Sequence, residues 1–255
     1  LGMKSAMLTR IGRDKLGEEI LEAIRQVGVA DYLVQRDDHL PTGTVAVSLD
    51  AKGKPTYEIL EPVAWDAIDL PPVEQLAAYD VLIYGTLAAR RSKSRKTLLR
   101  LLEQPLFRVC DLNLRGSFYS MDLINHVVAR AQILKLNDEE RDVLSKLLNV
   151  PSDEVFPALL DKYPSLEMIV MTRGAHGAMV KDRQEVTEHP GYHIQVLDTV
   201  GSGDAFLAGF MSRFLSGTTA REALDFACRL GAYVATCEGA IPSYTEVPNL
   251  PLNPS

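Results

Sequence analysis

From Tyr79 onward, short apolar runs and amphipathic stretches take turns, and this alternation restricts the fold more than any other feature of the chain. Runs at 81–84, 107–112, 133–136 and 168–172 have the length and apolarity of buried strands. The stretches at about 93–103, 121–130, 138–148 and 152–163 carry apolar residues at helical spacing. Strands separated by helices join in parallel through crossovers, and a sheet built this way has both faces covered. The expectation is an α/β fold with a mostly parallel central sheet covered by helices on both faces. Ligands in such sheets bind at the carboxyl ends of the strands, so the residues that follow each strand are the candidates.

Those residues are chemically suggestive. The first run leads into Gly85-Thr86-Leu87, with Arg90 close behind, and the second into Asp111-Leu112-Asn113-Leu114-Arg115. The third reaches Lys135-Leu136-Asn137-Asp138-Glu139-Glu140, and the fourth Thr172-Arg173-Gly174-Ala175-His176-Gly177. Each has an ordinary alternative: Asn137 can cap a helix, and Gly174 and Gly177 can shape a hairpin. Further on, His193-Ile194-Gln195-Val196-Leu197-Asp198 alternates like a half-buried strand. After it, Phe206, Phe210 and Phe214, with Leu207, Met211 and Leu215, mark a helix ending near Gly217. Between them lies Gly201-Ser202-Gly203, then Asp204. A glycine turn at a helix start leaves N–H groups aimed at an anion, favoured further by the helix dipole. Asp204 is either a carboxylate beside that anion hole or simply the helix cap.

The stretch Asp198-Thr199-Val200-Gly201-Ser202-Gly203-Asp204-Ala205-Phe206 resembles the C-terminal signature of the PfkB (ribokinase-like) carbohydrate kinases, DT-x-G-[AS]-G-D-x-F, at every defined position. The strand-end segments resemble the same family's D-x-N-x-R, N-x-x-E and T-x-G-x-x-G, and Gly239-Ala240-Ile241-Pro242-Ser243 its G-A-x-P-S loop. The resemblance implies a single ribokinase-like three-layer domain over 1–255, with a small β lid formed from about 42–62 that often pairs subunits into dimers. It also implies an ATP-dependent sugar kinase. In that reading Asp204 is the catalytic base, and Gly201, Ser202 and Gly203 hold the transferring phosphoryl oxygens. Asn137, Thr172, Gly174, Gly177 and Gly203 line the nucleotide, and Glu140 acts on Mg²⁺ through water. Gly85 would contact the sugar, Arg115 a phosphate or an acidic sugar, and Arg90 either contacts sugar or phosphate or belongs to a solvated helix start. Asp198, the Val200 carbonyl, Gly239 and Ser243 would hold K⁺, as in potassium-activated members. The segments around Ala64-Trp65-Asp66 and Tyr84-Gly85-Thr86 look most like the bacterial fructokinase branch, beside 2-keto-3-deoxygluconate kinase and ribokinase. A non-catalytic sugar- or nucleotide-binding protein on the same fold is the alternative of a different class, and the intact Gly-Ser-Gly-Asp speaks against it.

Relatives begin with an Asp-bearing strand and a GG-x-x-x-N sugar segment, which do not occur here; the expectation is that the natural N-terminus and part of the sugar site precede Leu1. A strand at about 4–11 and a helix at 15–27 come first, with Asp14 as its cap. Strands at 44–49 and 56–60, joined by a turn at 50–53, form the lid, and Trp65 reads as packing rather than substrate stacking. The stretch from Ala223 reads as a closing helix ending near Glu238, with Gly239 as its C-cap. A net charge of −7 gives no reason to expect nucleic acid or an anionic membrane as partner. There is no membrane-length apolar run, no P-loop, no Rossmann fingerprint and no histidine set at metal-ligand spacing. The three cysteines, without a C-x-x-C pair, suit small buried residues in a reducing, cytoplasmic setting.

Overall fold

Strand β1 (Thr9–Gly12) passes into helix α1 (Lys15–Gln26) at Asp14, which caps the helix by accepting the Gly17 N–H at 2.8 Å. The same carboxylate accepts the Thr42 N–H at 2.8 Å and the Thr42 hydroxyl at 2.6 Å, and these bonds hold it below the usual carboxylate range. In this computed structural model the described residues are 1–49, 55–243 and 250–253. The chain divides into an N-terminal unit, Lys4–Phe107 with Arg115–Val127, and a C-terminal unit, Leu1–Met3 with Arg108–Leu114 and Val128–Ser255.

In the N-terminal unit β1 pairs in parallel with β2 (Val34–Asp37). The β2 sequence, Val-Gln-Arg-Asp, has one apolar residue and gives no strand signal. β3 (Val45–Leu49) and β4 (Pro55–Ile59) pair antiparallel, as expected for the lid; the turn expected at 50–53 lies outside the described residues. A 3-10 turn at Ala64–Ala67, helix α2 (Val73–Leu76), strand β5 (Val81–Gly85), a 3-10 turn at Leu87–Ala89, and helices α3 (Ser92–Leu101) and α4 (Met121–Val128) complete the unit.

Its polar centre is Arg90, whose side chain is fully buried. Nε and Nη2 donate to the two Asp66 oxygens at 2.7 and 2.8 Å, and Nη2 also donates to the Leu60 carbonyl at 2.8 Å. The guanidinium lies 3.8 Å from the centre of the Trp65 ring and 5.0 Å from that of Phe118. Asp66 in turn accepts the Val63 N–H at 3.0 Å. Trp65 leaves no room for a side chain at Gly43, where a Cβ would meet Nε1 at 2.2 Å. Trp65 is therefore a packing residue. Arg90, expected near the sugar, spends two of its three nitrogens on fastening the stretch after β4 to the start of α3. Breaking a buried pair leaves the other charge uncompensated, at a cost of about 3–5 kcal/mol. Arg90→Met should accordingly lower the thermal midpoint by roughly 10 °C. A shift under about 2 °C in a thermal melt would show that the pair does not anchor the unit.

The strands of the C-terminal unit are β6 (Phe107–Asp111, in this unit from Arg108), β7 (Ile133–Asn137), β8 (Met168–Thr172), β9 (Ala178–Asp182) and β10 (Val186–His189), ordered β10-β9-β8-β7-β6. β6, β7 and β8 run parallel, while β9 and β10 are antiparallel additions, so the sheet is mixed. The first four residues of β7 are all buried, as a strand covered on both faces requires, whereas β10 alternates exposed and buried. The crossovers include helices α5 (Asp138–Leu148) and α6 (Val155–Lys162). The strand expected at 193–198 does not form. Val196 and Leu197 are exposed, and the Leu197 and Asp198 N–H groups both donate to the Ala235 carbonyl instead of to a neighbouring strand. Helices α7 (Ser202–Phe214) and α8 (Ala220–Ala235) pack closely: a Cβ on Gly209 would meet the Ala227 Cα at 3.2 Å, and one on Gly231 the Ser202 carbonyl at 3.1 Å. α8 ends at Ala235 with Thr236 as C-cap, earlier than expected, and Gly239 belongs to the following loop. Cys110 and Cys228 are buried as expected; Cys237 is only half-buried, beyond the helix.

Candidate active site

The start of α7 is built to leave donors open. Its N-cap is Gly201, in the left-handed region at φ +79°, and a glycine offers no side chain to cap the helix. The Ser202 N–H donates to the Thr199 carbonyl at 3.2 Å, closing a turn, and the Ala205 N–H to the Gly201 carbonyl at 2.8 Å. The N–H groups of Gly201, Gly203 and Asp204 have no partner among the described residues. Of the three residues expected to hold an anion, Ser202 commits its N–H to the turn, while Gly201 and Gly203, and next to them Asp204, have open N–H groups. The Ser202 hydroxyl donates to the Gly231 carbonyl at 2.9 Å and pins the loop to α8. Because Gly201 is the cap, Asp204 is not. Its carboxylate stands exposed in the first turn with no hydrogen bond among the described residues.

The parallel register gathers further candidates at the carboxyl ends of the strands. Asp111 stands opposite Lys135, and Asn137 opposite Thr172. Asn137 and Glu140 form a reciprocal capping box: the Asn137 Oδ1 accepts the Glu140 N–H at 2.8 Å, and the Glu140 Oε2 accepts the Asn137 N–H at 2.9 Å. Glu140 Oε1 accepts the Leu114 N–H at 2.7 Å. Burial pushes the Glu140 carboxyl up, against the pull of these N–H groups and of Lys135. The Thr172–Gly177 segment is the β8–β9 hairpin, with a 3-10 turn at Gly174–His176 and the Arg173 N–H donating to the Gly177 carbonyl at 2.8 Å. Gly177, at φ +77°, has no alternative, since a Cβ would sit 2.0 Å from the His189 carbonyl oxygen. His176 is exposed.

Asp198 links two loops: Oδ1 accepts the Val200 N–H at 3.0 Å and Oδ2 the Gly239 N–H at 3.2 Å. Three of the four residues expected to hold K⁺ are thereby adjacent, while the Ser243 carbonyl accepts the Tyr233 hydroxyl at 2.6 Å. Val196, Leu197, Val200 and Ile241 expose apolar surface on these loops. Gly85, at the end of β5, and the exposed Arg115 belong to the N-terminal unit with Arg90.

One pair was not assigned a role from the sequence. Lys135 Nζ donates to both Asp111 oxygens, at 3.0 and 3.1 Å, and both side chains are buried. The signal was present: a lysine inside the apolar strand Ile-Leu-Lys-Leu needs a buried partner. Among the described residues no cluster of three or more His, Cys, Asp or Glu side chains could hold a metal, and no helix is long and apolar enough to cross a membrane.

The family model of the pfkB family carbohydrate kinases matches residues 1–247. The chain belongs to the pfkB family of carbohydrate kinases. Fructokinase-1 of Oryza sativa is 27% identical over 272 residues, an alignment covering 99% of this chain and 83% of that protein. The 2-dehydro-3-deoxygalactonokinase of Haloferax volcanii is 26% identical over 263 residues, covering 96% and 80%. An uncharacterised sugar kinase of Pyrococcus horikoshii, crystallised in complex with ATP, superposes with a TM-score of 0.82 at 23% identity, covering 94% of this chain and 80% of that one. The fold is accordingly α/β and ribokinase-like, and membership of this family of kinases supports phosphoryl transfer as the chemistry.

Proposed function

We propose that the protein transfers the γ-phosphoryl group of ATP to a hydroxyl of a monosaccharide, with fructose as the acceptor. The observation that carries this reading is the start of α7: open N–H groups at Gly201, Gly203 and Asp204 beside an exposed, uncommitted carboxylate. Phosphoryl transfer leaves the protein mainly with positioning and electrostatic stabilisation, and this arrangement supplies both. The sugar oxygen attacks phosphorus and gives its proton to Asp204. The new O–P bond forms as the bond to the β-phosphate oxygen breaks, and the electron pair leaves with ADP. The N–H donors hold the phosphoryl oxygens through the transfer. The apolar surface of Val196, Leu197, Val200 and Ile241 suits the flat face of the adenine, and Thr172, Gly174 and Gly177 border the nucleotide.

A divalent ion neutralises phosphate charge in such transfers. Mg²⁺ commonly keeps its waters and binds through phosphates and one or two carboxylates, which fits Glu140 reaching it through water, since both of its oxygens already accept N–H groups. Asp198, Val200 and Gly239 would hold K⁺. β3 and β4 would serve as the lid over the sugar and, in a dimer, as the contact between subunits, with Gly85 and Arg115 toward the sugar.

Fructose is favoured by the named fructokinase at 27% identity, and the galactonokinase at 26% makes 2-keto-3-deoxy sugar acids the rival acceptors. The test is a coupled assay of ADP release with Mg-ATP and, separately, fructose, ribose, 2-keto-3-deoxygluconate, 2-keto-3-deoxygalactonate and adenosine. Selective turnover of fructose is expected. Selective turnover of another acceptor would reassign the sugar alone, and ATP binding without turnover of any would overturn the kinase reading for this panel.

A further inference from the structure

Lys135 has a place in the structure that its pairing with Asp111 does not exhaust. Its ammonium has three N–H donors; two go to Asp111, and the third has no acceptor among the described residues. The heavy atom nearest to where a Gly203 Cβ would stand is the Lys135 Nζ, at 3.5 Å. A buried cation therefore lies directly under the loop whose open N–H groups form the anion hole. Two carboxylates, Asp111 and Glu140, lie within electrostatic reach of it. A buried ion pair gains little stability over apolar packing of the same volume.

We propose that Lys135, tethered by Asp111, is the fixed cation of the phosphoryl site, its spare donor directed to a γ-phosphoryl oxygen held at Gly203. This rests on the kinase reading above. Asp111 keeps the lysine in one rotamer, so little ordering is needed when the nucleotide arrives. It also offsets the charge, so that the pair favours the added charge of a third phosphate without trapping every anion.

The test compares nucleotides that differ only in the γ-phosphate, without sugar and hence without turnover. Calorimetric titration of the Mg²⁺ complexes of ATP and ADP is run on the wild type, Lys135→Met, Lys135→Arg, and the doubly neutral Asp111→Asn/Lys135→Met. The expected result is that Lys135→Met weakens ATP about tenfold while ADP changes less than about twofold, tenfold being the order of one charge-assisted hydrogen bond. Lys135→Arg should recover part of the loss, and the double variant, which leaves no unpaired buried charge, should remain as deficient toward ATP as Lys135→Met. If Lys135→Met does not fold, the double variant alone decides. Equal weakening of both nucleotides, or full recovery of ATP affinity in the double variant, would make Lys135 only a structural partner of Asp111 and overturn the proposal. A wild type that binds neither nucleotide would instead overturn the kinase reading itself.

Discussion

Asp204→Asn is expected to lose nearly all phosphoryl transfer, a drop of at least about 100-fold in kcat, while folding as the parent does and binding ATP with unchanged affinity. The substitution keeps the shape of the side chain but replaces a carboxylate that can take a proton with a neutral amide that cannot. Asp204 is exposed, caps nothing and has no hydrogen bond among the described residues, so the fold has little to lose beyond the favourable meeting of a carboxylate with a helix N-terminus. The Asp204 N–H that helps form the anion hole is backbone and survives the change. Steady-state turnover, the thermal midpoint and a nucleotide titration together separate these outcomes. A variant that keeps more than about a tenth of the parent rate would remove Asp204 from the role of base.

What the sequence made legible is what local chemistry determines. Asp138–Leu148 is bounded by a capping box and an asparagine in the left-handed region, and the helix lies where the periodicity put it. β7 and β8 are apolar runs that only a doubly covered sheet can bury. The 202–214 helix follows from two apolar rows on one side. The missed features depend on partners outside the segment itself. Val34–Asp37 is a strand because β1 lies beside it, and Val186–His189 because β9 does. The 193–198 stretch has strand alternation without a neighbour to pair with, and its N–H groups turn to the end of α8. Site residues divide in the same way. Gly201 and Asp204 were readable from the motif that contains them, whereas the bond between Arg90 and Asp66, and that between Lys135 and Asp111, each join residues 24 positions apart. Nothing in either segment alone says that its charge is spent on the other.

The second large effect is expected at Gly201, where conformation and space are both restricted. An L-residue at φ +79° pays about 1–2 kcal/mol for the left-handed backbone. A Cβ there would also stand 2.7 Å from the Ala240 carbonyl oxygen and 2.8 Å from its Cα, both backbone atoms that cannot rotate away. Either the start of α7 tilts, moving the open N–H groups, or the 239–241 loop retreats and strains the Asp198–Gly239 bond. Misplacement by about 1 Å is enough to cost on the order of 100-fold in rate, so Gly201→Ala should lose activity well beyond its loss of stability. Gly217→Ala is the control: the backbone is again left-handed, at φ +81°, but nothing lies within 4 Å of the new methyl group. It should lose only about 1 kcal/mol of stability and keep full turnover. Urea unfolding and steady-state kinetics on the two variants separate strain from displacement. Equal activity in both would mean that the close approach of Gly201 to Ala240 does not set the geometry of the phosphoryl site.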